Sequence, residues 1–399
     1  MKRQTLTKLA YYLKKGRLAG FFVFCFLACC KPIDPSSEQQ LLLRAKTDAT
    51  AAKHIARQRL ATEELEAALH WWRHAAALGA EDALEHAVRL QLRLEGKLAT
   101  AKWLERERSR LPALSNELLL AELGLWPAGQ AEDQQGWQSA AGCALTLQPV
   151  VSQAQGERTW RGLQLGWQQD PQLSRLPVCF KPLLRVTSTA LNCSERIKDR
   201  IHCDYQALTS LVLDGEFQQL VIVAGRGIAS YNNGIVQLPE NAELTLLRHE
   251  FMHIAGFIDE YLLAPATAKA ICEVGRIAPN LLIGDDLATV NRYLQHYAVA
   301  ADELQLTAVD TCNALGMQAY RPIAAINPML HFEADLPDFY WRVLQQMLNQ
   351  PERLMPVQYY FAYLARQEQA WLTWMQLMQR AAGFGYPAAI SALEVDVGS

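Results

Sequence analysis

The chain has 399 residues, half of them hydrophobic, with 38 basic and 41 acidic side chains. Six basic and no acidic residues lie in the first thirty, so the remainder carries a net charge of −9. This balance excludes nucleic acid as a partner, which requires a basic surface. The length allows two domains.

Residues 1–30 have the pattern of an export signal. A basic opening precedes a short apolar run, LAGFFVFCFLACC, which is too short to span a bilayer comfortably. The end of this run resembles a bacterial lipobox, in which Cys29 or Cys30 would be lipidated. Ordinary cleavage, giving a soluble periplasmic protein, is the alternative. We therefore expect an exported bacterial protein, periplasmic or at the outer membrane, that meets a membrane only through a lipid anchor.

The six cysteines beyond the signal region also favour export, because an even number in an exported chain indicates disulfides. Free buried thiols are the alternative. The spacing lacks C-x-x-C pairs, which argues against a cysteine zinc site. Pairing in chain order would join Cys143 to Cys179, Cys193 to Cys203 and Cys272 to Cys312.

Helices are predicted at both ends of the chain, over residues 31–125 and in a hairpin over residues 350–399. Both regions contain an A-A-x-x-G-x-x-x-A pattern that weakly resembles Sel1-like repeats, relatives of the tetratricopeptide repeat. Ordinary helical hairpins are the alternative, since solenoids need about three adjacent repeats. These flanks are candidate sites for a protein partner. Four tryptophans in them are predicted to be core residues: Trp71, Trp72, Trp371 and Trp374.

Residues 126–136 are predicted to be a linker, and residues 137–349 a second domain that alternates strands and helices. CALTLQPVV, PVCFKPLLRV and QQLVIVAG are predicted strands, and YNNGIVQLPE an edge strand. TWRGLQLGWQQ, SERIKDRIHCDYQALTSLV and DLPDFYWRVLQQMLNQ are predicted helices. The expected fold class is α+β.

The segment HEFMHIAGFIDEY carries the main chemical signal. His249 and His253 lie one helical turn apart, so both imidazoles can reach one metal ion. Glu250 lies beside them, where it can take a proton from a metal-bound water. An amphipathic helix with two incidental histidines is the alternative. We predict a Zn²⁺ site with His249 and His253 as ligands and Glu250 as the general base.

A third zinc ligand is needed, and the sequence offers two. Gly256 can end the helix in a left-handed conformation, which would bring Asp259 back to the metal. Glu273 is the competitor, because thermolysin-like enzymes take a Glu from a following helix. The early glycine break favours Asp259, which completes an H-E-x-x-H-x-x-G-x-x-D pattern.

These motifs resemble metzincin metallopeptidases and, among them, the bacterial immunoglobulin-A-peptidase-like family. That family pairs an H-E-F-G-H helix with D-E-Y and then a Y-R-P segment leading to a methionine turn. The matching segments here are His249–His253, Asp259–Tyr261, Tyr320–Pro322 and Met329, with Met252 in place of the family glycine. The resemblance covers roughly residues 215–335. It implies a twisted sheet with the active-site helix packed beneath it, flanked here by the helical regions.

The resemblance also implies a role for the residue two places after the methionine. Several metzincins have a Tyr there that stabilises the oxyanion; here the position is His331, which we predict to face the cleft. A fourth metal ligand and an ordinary surface histidine are alternatives, and Tyr261 and Tyr320 are alternative donors. The predicted function is an exported zinc endopeptidase acting on peptides or proteins. The alternatives are a helical-repeat interaction lipoprotein with an inactive protease-like scaffold, and a zinc hydrolase of cell-wall peptide.

Overall fold

A computed structural model describes residues 37–130 and 135–397. The predicted signal segment, with Cys29 and Cys30, lies outside the described residues. The chain divides into two compact units after Ala87, within its fourth helix, although the sequence predicted the end of the helical region at residue 125. Both units together give a mixed α+β protein.

The smaller unit is helical. Gly79, at a φ of 92°, makes the turn between two of its helices, and the alanines of the Sel1-like pattern are buried beside it. This matches the local helix–turn–helix that the pattern predicts, since glycine adopts a positive φ without steric cost. Its helices are α1 (Ser37–Ala45), α2 (Ala49–Ala61), α3 (Leu65–Ala77) and α4 (Glu81–Glu95).

The larger unit contains two sheets and the remaining helices. The strands are β1 (Gly129–Gln130), β2 (Leu145–Val151), β3 (Val178–Phe180), β4 (Leu184–Arg185), β5 (Gln219–Val223), β6 (Ser230–Asn232), β7 (Ile235–Leu238), β8 (Ile277–Ala278), β9 (Leu281–Ile283), β10 (Thr307–Val309) and β11 (Ala319–Arg321). The helices are α5 (Lys97–Arg106), α6 (Glu117–Leu123), α7 (Ala154–Gln169), α8 (Ser188–Leu191), α9 (Thr209–Asp214), α10 (Leu244–Ile254), α11 (Pro265–Ile271), α12 (Leu287–His296), α13 (Asp338–Leu348), α14 (Val357–Gln367), α15 (Trp371–Gly383) and α16 (Pro387–Val397).

The main sheet has the order β1-β4-β2-β5-β7-β6, and β3 also pairs with β2. The strands β2, β3, β4, β5 and β7 pair in parallel, whereas the two outer strands, β1 and β6, are antiparallel to their neighbours. The predicted linker therefore contributes strand β1 to this sheet. The predicted edge strand is a hairpin in which β6 is outermost and Gly234, at a φ of 84°, completes the turn.

Helices cover both faces of this sheet, which is why its central strands are almost entirely buried. Val221 and Val223 of β5 pack in one core with α7, α10 and α13. The intervening Ile222 packs in a second core with α9, α14 and α15. The region predicted as a C-terminal hairpin thus holds three helices, α14 to α16. Trp72 is buried as predicted, but Trp371 is 57% exposed, so the core prediction is wrong for Trp371.

The first part of the helix predicted over residues 194–212 is absent: residues 194–204 form an irregular loop, and regular structure resumes only near Tyr205. A disulfide joins Cys193 to Cys203 with their Cα atoms 4.0 Å apart. In an α-helix, residues ten positions apart would lie about 15 Å apart. The long-range covalent bond therefore overrides the local pattern.

The smaller sheet, of order β10-β11-β9-β8, lies in the chain segment after the H-E-x-x-H motif of His249–His253. A disulfide joins Cys272 to Cys312 there, and another joins Cys143 to Cys179, so the chain-order pairing is present. Three disulfides indicate an exported or otherwise oxidising environment. Among the described residues, no helix has both the length and the apolar character needed to cross a membrane.

Candidate metal centre

Helix α10 carries both histidines on one face, and its C-terminus turns the chain back towards them. Gly256 has a φ of 85°. Its N–H donates to the His253 carbonyl at 3.0 Å, and the Phe257 N–H donates to the Met252 carbonyl at 3.3 Å. These two bonds form a Schellman motif, which satisfies the last carbonyls of the helix. The reversal brings Asp259 back to the imidazoles, as the spacing predicts.

Both imidazoles are oriented by backbone carbonyls. Nδ1 of His249 donates to the Pro328 carbonyl and Nδ1 of His253 to the Phe257 carbonyl, each at 2.8 Å. A carbonyl only accepts, so Nδ1 carries the hydrogen in both rings. In the neutral ring, each Nε2 then presents a lone pair, which is the form that binds a metal ion.

The carboxylate of Asp259 faces these two nitrogens. Its Oδ1 lies 3.3 Å from Nε2 of His249 and 3.4 Å from Nε2 of His253. The same oxygen is buried and has no hydrogen-bond partner among the described residues. An acceptor oxygen that faces two lone pairs is satisfied only by a shared cation, either protons on the imidazoles or a metal ion.

The spacing of these three atoms fits a tetrahedral metal ion. Zinc binds nitrogen and oxygen ligands at about 2.0–2.2 Å, which places neighbouring ligand atoms of a tetrahedral site about 3.3–3.5 Å apart. The two measured separations agree with this value. The residues present therefore fit a metal ion of this kind.

Glu250 is the other buried carboxylate at the site. It also has an oxygen within 4.8 Å of the ligand atoms of His249 and His253, so it is a rival third ligand on distance alone. Asp259 fits that position better, because its orphaned oxygen lies closer to both nitrogens. Burial raises the pKa of Glu250, although both imidazoles oppose this shift. A raised pKa makes the carboxylate a better proton acceptor.

The charges of the site are coupled. Burial alone would raise the pKa of Asp259, but the two imidazoles hold it well below its usual range. Burial would lower the pKa of His253, yet the carboxylates of Asp259 and Glu250 raise it. In each case the ionic partner outweighs the cost of burial, so the carboxylate of Asp259 is ready to accept a cation.

The predicted turn at Met329 lies against this site through its backbone. Pro328 accepts from His249, and the Met329 carbonyl accepts from the Glu260 N–H at 2.9 Å. The Met329 side chain is buried in the same core as Phe251 of α10. The turn therefore contacts both helix α10 and the segment that contains Asp259.

The other residues predicted as candidates for the site differ in how close they lie to it. Tyr261 is 45% exposed, and burial and the charge of Asp259 together raise its pKa, so its side chain lies close to the site. His331 is exposed and has no side-chain hydrogen bond or ion pair with the described residues. The Tyr320 hydroxyl donates to Asp285 instead. Glu273 is exposed beyond the end of α11, and it is Asp259 that faces the imidazoles.

Two buried contributors were not predicted from the sequence. Arg248 donates to the carbonyls of Phe332 and Ala334, which ties α10 to the segment after the Met329 turn. Glu260 accepts hydrogen bonds from three distant segments. Their partners lie 20 to 86 positions away in the chain, where no local pattern points. No known family model matches this chain, and no curated protein resembles it in sequence at a significant level.

Proposed function

We propose that this protein is an exported zinc-dependent endopeptidase. The observation that carries the proposal is the convergence of two Nε2 atoms and the orphaned Asp259 oxygen beside a buried glutamate. Two imidazoles and one carboxylate form a donor set that suits zinc, and three protein ligands leave a fourth position open. His249, His253 and Asp259 would hold the ion.

Zinc, when bound, supplies Lewis acidity that polarises a carbonyl and lowers the pKa of a water near neutrality. Glu250 accepts the proton of the attacking water and delivers it to the leaving amine. Its buried position and raised pKa suit both transfers. Without this shuttle, the amine would leave as a poor, unprotonated anion.

Tyr261 is the proposed donor to the oxyanion. Its hydroxyl is on the carboxylate side of the site, and the raised pKa keeps it protonated and able to donate. One such donor typically contributes about 10²–10³ in turnover. This proposal moves to Tyr261 the oxyanion role that the sequence analysis predicts for His331, which remains the rival.

The sheet edge supports a peptide substrate. Strand β6 is the outermost strand of the main sheet, and α10 packs against both β6 and β7. An extended peptide can pair with such an edge through its main chain, largely without regard to sequence. The antiparallel outer strand and the buried methionine turn also agree with the resemblance to immunoglobulin-A-peptidase-like metzincins.

The finer location is also proposed. Three disulfides indicate an exported or otherwise oxidising environment. With the apolar opening segment and its lipobox-like cysteines, this supports a lipoprotein in the periplasm or at the outer membrane of a bacterium.

A second candidate is an interaction lipoprotein, favoured by the exposed apolar side chains of α15. Trp371 and Leu372 are exposed there, next to the partly exposed Met375. An apolar patch of this kind marks a contact surface. Zinc stoichiometry and peptide hydrolysis separate the two functions, because an inactive scaffold needs neither.

The test compares Glu250→Gln with wild type for zinc content and for hydrolysis of a mixed peptide library. We expect Glu250→Gln to keep zinc and to lose about 10²–10⁴ in turnover. Glu243→Gln is the matched control, since this exposed glutamate holds the N-cap position of the same helix without a side-chain capping bond. Wild-type turnover in Glu250→Gln would remove the proposed mechanism.

A further inference from the structure

The loop closed by Cys193 and Cys203 is built into the edge of the main sheet. Gly225 and Gly227 follow β5 with positive φ values of 78° and 151°. A Cβ on Gly225 would lie 2.7 Å from the Ser194 carbonyl oxygen, and one on Gly227 would lie 2.5 Å from that of Asp199. Only glycine permits this approach, so the loop backbone is seated on the segment that leads into β6.

The loop also forms backbone hydrogen bonds with one residue of that edge, Ile228. The Ile228 N–H donates to the Asp199 carbonyl at 2.8 Å, and the Ile201 N–H donates to the Ile228 carbonyl at 3.1 Å. Arg200 forms the bridge partner of Ile228. Because Ile228 precedes β6 by two residues, Arg200 is fixed beside the strand where a peptide would pair.

The charged residues of this region are paired, with two exceptions. Arg196 pairs with Asp199, and Arg226 pairs with Glu240. Lys198 and Arg200 are exposed and have no hydrogen bond or ion pair among the residues that the structure describes. Of these two, Arg200 is the one bridged to Ile228 at the sheet edge that leads into β6. Burial raises the pKa values of Glu250 and Tyr261, and the charge of Arg200 opposes this shift.

We propose that Arg200 is a specificity-determining residue that selects peptides with a carboxylate near the scissile bond. This inference rests on the proposed hydrolytic function. A guanidinium matches a carboxylate with two parallel hydrogen bonds, and an unpaired, exposed arginine lacks such a partner until a ligand provides one. The carboxylate can belong to an Asp or Glu side chain or to the C-terminus of the peptide.

The experiment uses the full chain loaded with zinc and three synthetic peptide libraries. One library has a free C-terminus, the second has a C-terminal amide, and the third is amidated and contains Asn and Gln in place of Asp and Glu. Initial rates are measured for wild type, Arg200→Met and Lys198→Met. Lys198 is the matched control because it is exposed in the same loop but is not the residue bridged to Ile228 at the sheet edge.

We expect wild type and Lys198→Met to cleave carboxylate-bearing peptides about tenfold faster or more, in line with the strength of a charge-assisted pair. Arg200→Met should lose this preference. A difference between the first two libraries assigns the carboxylate to the C-terminus, and one between the last two assigns it to side chains. The absence of a wild-type preference, or its survival in Arg200→Met, overturns the inference.

A binding measurement separates this inference from the proposed function. Labelled peptides from the same libraries are titrated against Glu250→Gln, with and without Arg200→Met. A carboxylate preference that depends on Arg200, without wild-type hydrolysis, supports Arg200 and overturns the peptidase. Hydrolysis without any preference supports the peptidase and overturns Arg200.

Discussion

Two adjacent carboxylates, Asp259 and Glu260, lie in opposite kinds of surroundings. Oδ1 of Asp259 faces two imidazole nitrogens and has no donor in the described part of the chain. Glu260 is fully buried, and all of its partners are donors. Its Oε1 accepts from Tyr340 at 2.6 Å and Asn280 at 3.0 Å.

The second oxygen of Glu260 is equally well satisfied. It accepts from the Asn327 amide at 2.8 Å and lies 3.5 Å from the Arg321 guanidinium. A buried charge with this many partners is stable without any ligand. Glu260 is thus satisfied within the protein, whereas the preceding carboxylate, Asp259, has an oxygen that is satisfied only by a shared cation, either protons on the imidazoles or a metal ion.

The largest effect should follow removal of an imidazole. We expect His249→Ala and His253→Ala to bind no zinc at equimolar concentration, because two protein ligands remain where three are needed. Metal content after gel filtration measures this. His296→Ala, an exposed histidine in the last turn of α12, should retain full stoichiometry. Full zinc content in either site variant would contradict the assignment.

Next comes Glu260→Gln, which tests the satisfied member of the pair. The change leaves Arg321 buried without its countercharge and puts an amide N–H₂ where an acceptor is required. We expect a loss of about 3–5 kcal/mol in the free energy of unfolding, measured by urea denaturation of metal-free protein. Asp259→Asn should cost less in the same measurement. Equal losses in the free energy of unfolding would show that Glu260 matters no more for stability than Asp259 does.

For zinc affinity the ranking should be reversed, with a larger loss for Asp259→Asn than for Glu260→Gln. Asp259→Asn is expected to weaken zinc binding by more than about 100-fold, because even outer residues of metal sites cost about 10–100-fold. Competition with a chelator gives the affinity. Glu273→Gln should bind as wild type does. A large loss only in Glu273→Gln would move the protein to the thermolysin-like ligand set.

A smaller effect is expected for Tyr261→Phe, which removes the proposed oxyanion donor but no ligand. Turnover should fall about 100-fold while zinc content is unchanged. Steady-state rates at saturating peptide report this loss. Tyr320→Phe is the control, since its hydroxyl is engaged with Asp285.

The smallest effect is expected for His331→Phe. Its imidazole is exposed and makes no hydrogen bond or ion pair with the described residues, so turnover should change less than about threefold, as for most surface substitutions. The same assay and zinc measurement apply. A loss as large as that of Tyr261→Phe, with zinc retained, would return the oxyanion role to His331.

The sequence was sufficient where the determinants are local. Helical spacing predicted the shared face of His249 and His253, and Gly256 predicted the reversal towards Asp259. It was insufficient where partners are remote. Asn280, Asn327 and Tyr340 meet Glu260 only after the chain has folded, and so no spacing rule reveals the network.

The helix prediction for the loop after Cys193 was wrong for the same reason. Its residues have an acceptable helical pattern, and only the disulfide and the two close glycines exclude a helix. Trp371 illustrates a different limit, because an aromatic residue in a helix can pack inside or remain on the surface with the same local pattern.

The disulfide at Cys193 and Cys203 has a consequence for the redox dependence of the protein. All three proposed zinc ligands lie between residues 249 and 259, outside every disulfide-closed loop of the described chain. Arg200 lies inside one. No disulfide closes the segment of the proposed ligands, whereas one closes the loop that holds Arg200. The selectivity proposed for Arg200 would therefore depend on oxidation in a way that the proposed metal site would not.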